Sequence, residues 1–215
     1  LFDQSFFISK PVGKKIFLVV LNQPIERKLY EHFYSLSDYC LVADGAANQI
    51  LDEYSDRERL ETKFLPDFIC GDMDSIKADT LDYFKTKLAS TSIIHDPDQN
   101  STDSGKVINK ILQNPADFGL DFYAQTGEDK TLEMKHIVLV YGGMGGRFDH
   151  TIYNIHLMHS LHREYSTSLL DTQIIMISPE SYSFLIPAGN STILPSIVDR
   201  KDTGIGLIPI SCKCR

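Results

Sequence analysis

Two carboxylates follow the end of a short apolar run at a spacing that suits metal binding. Asp72 and Asp74 come directly after Gly71, which closes the run 68–70. In an extended backbone, residues two apart point to the same side, so the two carboxylates can converge on one point. Mg²⁺ prefers near-octahedral oxygen ligands and is usually held by one or two carboxylates, waters and phosphates. The pattern indicates a magnesium site or, as the alternative, a solvated turn rich in Gly, Asp and Ser.

A carboxylate and a glycine also end the apolar run 39–43. Asp44 followed by small residues is a common helix N-cap, which is one interpretation. In the other, Gly45 and the amides after it let a nucleotide approach the backbone closely, and Asp44 or Asn48 binds its polar groups. Because the same pattern recurs at other strand ends, we expect a ligand here.

A third acidic loop, residues 96–103, follows another short predicted strand. Thr102 or Ser101 is placed to cap the next helix, and Asp103 falls in its first turn, where a negative charge is favourable with the helix dipole. Lys106 lies one turn further on. It can reach a phosphate oxygen from there, although an exposed helical lysine is the ordinary expectation.

Four glycines in five positions, residues 142–146, follow the apolar run 137–141. Glycine permits backbone conformations closed to other residues and brings amides close to an anion. Arg147 comes next and can pair bidentately with phosphate, and Asp149 follows two residues later. Because no Lys-Ser/Thr pair follows the glycines, the segment is not a Walker A loop. We expect a flexible anion-binding loop.

Helical patterns separate these apolar runs, which is typical of an open α/β fold. Continuous aliphatic runs indicate strands covered on both faces of a parallel sheet. Strands are predicted at 16–21, 39–43, 68–70, 92–95 and 137–141, and helices at 25–36, 44–54, 77–87, around 103–111 and up to about 164. The sequence therefore predicts a mainly parallel sheet with helices on both faces and ligands at the carboxyl ends of its strands.

Three further segments are expected to lie outside this regular pattern. Residues 1–13 show no period and read as an arm, and the charged stretch 57–63 reads as a connector. Residues 114–133 also lack a period and are expected to form a variable insertion or long loop.

Composition limits the possible partners. The formal net charge is −8, from 21 basic and 29 acidic residues, and no Lys/Arg block is present, which argues against a nucleic-acid surface. No run approaches the roughly 20 apolar residues of a membrane span. The four cysteines lack the paired spacing of a zinc site, which fits a reducing compartment. We therefore expect a soluble, cytoplasmic protein.

Taken together, the motifs at residues 43–48, 71–75, 98–103 and 142–150 resemble those of the eukaryotic thiamin pyrophosphokinase family, in the same order. Each motif is weak alone, whereas four in register are specific. The resemblance implies a homodimeric enzyme, with its active site shared between subunits, that transfers a pyrophosphoryl group from ATP to thiamin. It further implies a requirement for Mg²⁺ and the release of AMP.

By position, the resemblance assigns Asp72, Asp74 and Asp103 to the metal and phosphate centre, and Arg147 to the catalytic residues. The residues that fall in its nucleotide- and substrate-binding motifs are Asp44, Gly45, Asn48, Gly71, Ser75, Asp98, Gln99, Thr102, Lys106, Gly145, Gly146 and Asp149. Two positions depart from the family pattern. Ala46 stands where a second glycine is frequent, and Asn100 stands where an acid is frequent, which removes a possible metal ligand or base.

The C-terminal part reads as an all-β unit, with strands predicted at 173–178, 182–187, 191–198 and 206–210. For these segments, the resemblance implies a nucleotide-binding catalytic domain at 1–165 and the start of a thiamin-binding β-sandwich at 171–215. In the family this sandwich continues further and supplies part of the thiamin pocket, so the unit looks incomplete or is completed by something outside this sequence. No thiamin-stacking residue is assigned.

Two other functions are compatible with parts of the sequence. Residues 72–76 also resemble the nucleophile loop of haloacid-dehalogenase-type phosphatases, in which Asp72 would become an aspartyl phosphate. That loop normally follows the first strand, whereas here it follows the third. The other alternative is a non-catalytic relative that binds thiamin or a nucleotide.

Overall fold

The structure is a computed structural model, and it describes residues 2–87, 90–118, 136–164, 172–186, 189–194 and 204–210. The strands are β1 Phe2–Asp3, β2 Lys15–Val20, β3 Tyr39–Ala43, β4 Phe68–Gly71, β5 Ser92–His95, β6 His136–Tyr141, β7 Thr172–Ile177, β8 Tyr182–Phe184 and β9 Ile193–Leu194. The α-helices are α1 Arg27–Leu36, α2 Asp44–Glu53, α3 Arg57–Lys63, α4 Ala78–Lys87, α5 Asp103–Gln113 and α6 Phe148–Glu164. Short 3-10 helices occupy Gln4–Phe7 and Pro115–Phe118.

Seven strands form one sheet in the order β5-β4-β3-β2-β6-β7-β8. All neighbouring pairs from β5 to β7 are parallel, and only β8 at the edge is antiparallel. The predicted open, mainly parallel sheet is therefore confirmed.

The strand β2 occupies the centre of this sheet and of the hydrophobic core. It pairs with β3 on one side and β6 on the other, and Ile16 to Val20 are all fully buried. This burial on both faces is the reason for its uninterrupted aliphatic sequence. From α1 and α5, residues such as Phe33 and Ile111 pack onto the same core.

The chain order reverses between β2 and β6. From β2 the crossovers proceed through β3 and β4 to β5, and the chain then returns across the sheet to β6. Because parallel crossovers are right-handed, helices α1 to α4 lie on one face and α5 and α6 on the other. Ligands in such sheets bind at the carboxyl ends of the strands near this reversal.

The segment 57–63 is a helix, α3, and the prediction of a connector was wrong. Its sequence is mostly charged, and Leu60 is its buried residue. The helix is held against α1 by Arg59, whose guanidinium binds both carboxylate oxygens of Glu31. A seven-residue helix with one buried apolar residue leaves almost no hydrophobic period to detect.

The first two strands after α6 continue the main sheet. All six residues of β7 pair in parallel with β6, and β8 continues the sheet, so both belong to the main sheet. Within the described residues of the two later predicted strands, Ile193–Leu194 forms a ladder with β1, and residues 206–210 form no strand. The division into 1–165 and 171–215 and the C-terminal sandwich stay predictions.

The predicted N-terminal arm contains β1 and a 3-10 turn. Phe7 of this turn packs its ring against Phe33 of α1 and Tyr182 of β8, at centroid distances of 6.0 and 4.7 Å. The predicted insertion at 114–133 begins with a 3-10 turn, and its residues from 119 onward lie outside the described part of the chain. Among the described helices, none combines the length and the apolar character required to cross a bilayer.

Candidate active site

Three carboxylates converge at the carboxyl ends of two neighbouring strands. Asp44 follows β3, and Asp72 and Asp74 follow β4. One ligand oxygen from each lies within 4.8 Å of the other two. The structure therefore brings Asp72 and Asp74 together as expected, and it adds Asp44 to them. These three residues are called the acid cluster below.

A tight turn, rather than an extended strand, makes Asp72 and Asp74 converge. The strand β4 ends at Gly71, and Met73 has a φ of 67°, a left-handed conformation that is rare for a residue with a side chain. The Asp74 N–H donates to Oδ1 of Asp72 over 3.3 Å, and the Ser75 hydroxyl donates to Oδ1 of Asp74 over 2.9 Å. The turn is thus closed by the carboxylates themselves.

Asn48 fixes this turn from the neighbouring helix α2. Its Nδ2 donates to the carbonyl oxygen of Ser75 over 2.8 Å, and its Oδ1 accepts from the Lys77 N–H over 2.9 Å. Both ends of the amide are therefore used within the protein. The structure gives Asn48 a role in holding the acid cluster, whereas the sequence suggested direct contact with a nucleotide or substrate.

Two glycines allow close approaches at this point, Gly71 that of the Asp44 side chain and Gly45 that of the Asn22 side chain, which follows β2. A Cβ at Gly71 would lie 2.6 Å from Cγ of Asp44, and one at Gly45 would lie 2.4 Å from Nδ2 of Asn22. Neither position tolerates a side chain without displacing its neighbour. Gly71 is thus required for the position of the Asp44 carboxylate.

A buried ammonium neutralises part of the acid cluster. Lys106 of α5 places Nζ 2.9 Å from Oδ2 of Asp72, and its side chain is 1% exposed. Gln99 donates to the same oxygen over 3.0 Å. The Lys106 ammonium holds the pKa of Asp72 well below its usual range. Burial, the largest single effect, disfavours the charged lysine, but the bond to Asp72 and the negative charges of Asp72, Asp103 and Asp96 together outweigh it and raise the Lys106 pKa.

The pKa values of two other carboxyls near the site, Asp44 and Asp103, are shifted in the opposite direction. Burial raises the pKa of Asp44, and the charges of Asp72 and Asp74 raise it further, while two backbone N–H groups oppose the shift. Burial likewise raises the pKa of Asp103, and the charges of the acid cluster add to this effect. Asp103 therefore lies beside the acid cluster. The sequence assigned Asp103 to the metal centre together with Asp72 and Asp74, whereas the third carboxylate of the acid cluster is Asp44.

The loop before α5 is organised by its own side chains. Oδ1 of Asp98 accepts from the Asn100 N–H over 2.9 Å, and Oδ2 accepts from the Ser101 hydroxyl over 2.7 Å. These bonds, the first of them foremost, lower the pKa of Asp98. Thr102 is the N-cap of α5 and accepts the Gly105 N–H over 3.3 Å, so the predicted cap is confirmed.

The glycine loop, residues 142–146, leaves β6 with several left-handed residues. Gly142, Gly145 and Gly146 have φ values of 79°, 91° and 64°. Arg147 and Asp149, at the start of α6, pair with each other, and their side chains are 70% and 62% exposed. The Asp149 carboxylate raises the pKa of Arg147. The pair stands at the surface, where an anionic ligand can reach the guanidinium.

Two polar residues at the chain reversal were not identified from the sequence. Asn22 and Gln23 follow β2 at the same edge of the sheet. Asn22 accepts from Gln49 over 3.3 Å, and Gln23 lies so close to Gly146 that a Cβ there would approach Oε1 to 2.4 Å. The signal was available, since Asn22 and Gln23 end a buried strand as the acidic motifs do.

An open parallel sheet with an acid cluster and a glycine loop at its carboxyl edge defines an α/β protein of the kind that binds phosphorylated ligands there. The profile of the family described as "Thiamin pyrophosphokinase, catalytic domain" matches residues 30–169, more than half of the chain. The chain belongs to the thiamin pyrophosphokinase family, which is a family of enzymes.

Individual relatives support this membership. Thiamine pyrophosphokinase 2 of Arabidopsis thaliana is 32% identical over 210 residues, covering 92% of this chain and 68% of the relative. Thiamine pyrophosphokinase of Saccharomyces cerevisiae is 28% identical over 228 residues, covering 90% of this chain and 68% of the relative.

Solved structures agree with the fold. The crystal structure of yeast thiamin pyrophosphokinase superposes with a TM-score of 0.64 at 28% identity, over 82% of this chain and 62% of that chain. Thiamin pyrophosphokinase from Candida albicans gives a TM-score of 0.63 at 22% identity over 83% of this chain and 61% of that chain, a likeness of fold alone. The chain thus spans less than two thirds of the length of these solved structures.

Proposed function

We propose that this protein transfers a pyrophosphoryl group from ATP to thiamin, giving thiamin diphosphate and AMP, with Mg²⁺. Membership of the family and the names of its relatives support the reaction type. The observation that carries the proposal is the acid cluster of Asp44, Asp72 and Asp74 next to Lys106, at the edge of the sheet where the glycine loop also begins.

The acid cluster has the chemistry of a site for a hard divalent cation. Its ligand atoms are carboxylate oxygens within 4.8 Å of one another, and oxygen ligands are those that Mg²⁺ prefers. Asp44, Asp72 and Asp74 would hold the ion, with Asp103 beside them. When bound, Mg²⁺ would supply positive charge to the phosphate oxygens during transfer. Burial, and to a smaller extent the charges of Asp72 and Asp74, raise the pKa of Asp44, and a bound cation would relieve the repulsion among these carboxylates.

The chain's own cations and amides would hold the phosphates. Lys106 already points its ammonium into the acid cluster. Arg147 would exchange its exposed partner Asp149 for a phosphate, to which a guanidinium can bind bidentately. The left-handed Gly145 and Gly146 would present backbone N–H groups to the same anion. Positioning and charge stabilisation of this kind account for most of the catalysis in phosphoryl transfer.

The remaining features of the proposal rest on the family resemblance. Two copies of the chain would form a homodimer with the active site shared between subunits. The cytoplasmic location rests instead on the cysteine pattern, which fits a reducing compartment. The thiamin hydroxyl would attack the β-phosphorus of ATP in line with the leaving AMP.

The test is AMP release from Mg²⁺-ATP with and without thiamin, in the wild type and in Asp74→Asn. Thiamin-dependent AMP that is lost in the variant supports the proposal. Phosphate release without thiamin, with a covalent phosphate trapped on Asp72, would instead indicate the haloacid-dehalogenase-type reaction. Binding of ATP or thiamin without turnover would indicate a non-catalytic relative, and it would overturn the proposed reaction for this chain.

A further inference from the structure

A chain of buried hydrogen bonds joins the glycine loop to the first turn of α5. Asn154 of α6 donates from Nδ2 to the carbonyl oxygen of Gly143 over 2.9 Å, and its Oδ1 accepts the Ser104 hydroxyl over 2.7 Å. The Ser104 oxygen lies 3.0 Å from the Thr102 hydroxyl, and Thr102 accepts the Gly105 N–H. Asn154 and Ser104 are each 5% exposed. We call these bonds the Asn154 relay.

Each group in the Asn154 relay has a defined role as donor or acceptor. Because Ser104 donates its hydroxyl hydrogen to Asn154, its oxygen is the acceptor for the Thr102 hydroxyl. Turning the Asn154 amide around would place its oxygen against the Gly143 carbonyl oxygen, so that two acceptors would face each other. Buried polar groups are costly to leave unpaired, so neither end of the relay can move independently.

The two ends of the relay belong to the two parts of the candidate site. Gly143 lies in the glycine loop that leads to Arg147, while Ser104 lies on α5 between Asp103 and Lys106. Ser104 and Asn154 are 50 residues apart in the sequence. A side chain on a third element, α6, therefore sets the separation between the glycine loop and the helix that neutralises Asp72.

We infer that Asn154 and Ser104 are positioning residues for pyrophosphoryl transfer. They fix the distance between the loop that would hold phosphate oxygens and the acid cluster that would hold the cation. The inference rests on the proposed function. Both side chains are buried and act through Gly143 and α5. In-line transfer is sensitive to such a distance, because a misplacement of about 1 Å can lower the rate roughly 100-fold.

The first test measures amide hydrogen exchange by mass spectrometry in the full chain. Ser104→Ala removes the donor to Asn154 without touching the glycine loop. The expected result is faster exchange in peptides that cover residues 142–147, as well as at the start of α5. Thr91→Val is the matched control, because Thr91 is also buried and its hydroxyl donates to the Pro66 carbonyl over 2.7 Å at the opposite edge of the sheet. It should leave exchange in 142–147 unchanged.

The second test separates positioning from stability in AMP formation. Asn154→Leu and Ser104→Ala should each lower kcat about 10- to 100-fold with a smaller change in KM for ATP. Because both residues act through one relay, the double variant should lose much less than the product of the two single losses. Thr91→Val should lower thermal stability but leave kcat close to that of the wild type.

Two results would overturn the inference: unchanged exchange in 142–147 on Ser104→Ala, or kinetic losses that multiply in the double variant. If Asn154→Leu does not fold, the exchange measurement on Ser104→Ala still tests the inference. A wild-type protein that forms no thiamin-dependent AMP would contradict the proposed function instead. The exchange test would then still report whether α5 and the glycine loop are coupled.

Discussion

The Lys106 ammonium lies 2.9 Å from the Asp72 carboxylate, and its side chain is almost completely buried. This pair makes the two carboxylates of the turn unequal. Asp72 has a structural partner inside the protein, whereas Asp74 is exposed and bonds to the neighbouring Ser75 hydroxyl. Removing either carboxylate should weaken cation binding, but only the removal of Asp72 leaves the buried Lys106 ammonium without its partner.

Asp72→Asn should therefore destabilise the fold and Asp74→Asn should not. Loss of one partner of a buried ion pair costs roughly 3 kcal/mol, while substitution of an exposed carboxylate usually changes stability by less than about 0.5 kcal/mol. Urea unfolding at pH 7 without divalent cations measures both. Equal stability of the two variants would show that Asp72 does not stabilise Lys106.

Mg²⁺ should raise the free energy of unfolding through the acid cluster. At a concentration about 100 times the dissociation constant, the increase is about 2.7 kcal/mol, since the ion binds only the folded state. Urea unfolding with MgCl₂, against NaCl of equal ionic strength, measures it. The increase should vanish in Asp74→Asn and persist in Asp52→Asn, whose carboxylate is 65% exposed and pairs with Lys77. Persistence in both variants would place the ion elsewhere.

Gly71→Ala should disrupt the site although its backbone needs no special conformation. The new Cβ would lie 2.6 Å from Cγ of the fully buried Asp44 and would push that carboxylate out of the acid cluster. Mg²⁺ affinity should fall about 10-fold or more, and stability should fall by about 1–3 kcal/mol. Calorimetric Mg²⁺ titration and urea unfolding are the measurements.

Gly105→Ala is the matched control for this substitution. Gly105 lies in α5, and a Cβ there would meet no atom closer than 3.6 Å. Because alanine favours helix over glycine, stability should rise by up to about 1 kcal/mol while Mg²⁺ affinity is retained. A loss of affinity in both variants would point to a general effect of added volume.

The predictable part of the site came from local sequence. Gly71, Asp72 and Asp74 end a buried strand, so a carboxyl-edge site could be located before the fold was known. The left-handed Met73 could not be foreseen, because a turn that depends on Asn48 from another helix leaves no local signal. The Asn154 relay was equally invisible, since it joins residues that only the folded sheet brings together.

The fold, too, could be predicted from the sequence only in part. The hydrophobic period located most of the sheet, but it could not assign β7 to the main sheet, because an apolar strand of a sandwich has a similar pattern. Helix α3 was missed for the opposite reason, since Arg59 and Leu60 supply its attachment in place of an apolar face.

Asn48→Leu should weaken Mg²⁺ binding although Asn48 is not one of the three clustered carboxylates. The leucine has a similar size but cannot bond to Ser75 and Lys77, so the turn with Asp72 and Asp74 loses both of its anchors on α2. A fall in Mg²⁺ affinity of about 10-fold is expected. If affinity stays normal while KM for ATP or thiamin rises, Asn48 contacts substrate as the sequence first suggested.

Glu31, which lies away from the candidate active site, should make the stability of the fold depend on pH in the acid range. Its bonds to Arg59, and also to Arg27 and Tyr54, lower its pKa to about 2 against the opposing effect of burial. Because the folded pKa is depressed, the stabilisation is present above the ordinary value of 4.5 and is lost as pH falls toward 2. After allowance for solvent screening it is about 1–2 kcal/mol at pH 7.

Urea unfolding of the wild type and Glu31→Gln between pH 7 and pH 3 measures this contribution. The difference in stability should shrink steadily below about pH 4.5. Glu58→Gln, which changes an exposed carboxyl on α3, is the control. A difference that stays constant with pH would mean that the ion pairs of Glu31 with Arg59 and Arg27 contribute nothing.

The central position of β2 also matters while the chain is being synthesised. Its partner β3 begins at Tyr39, after a single helix, but β6 begins only at His136. On the ribosome, the half-sheet from β2 to β5 is complete before that partner exists, and the backbone N–H and C=O groups along one edge of β2 stay unpaired in the meantime. An unpaired strand edge of this kind promotes aggregation, so newly made protein should depend on chaperones until β6 has emerged.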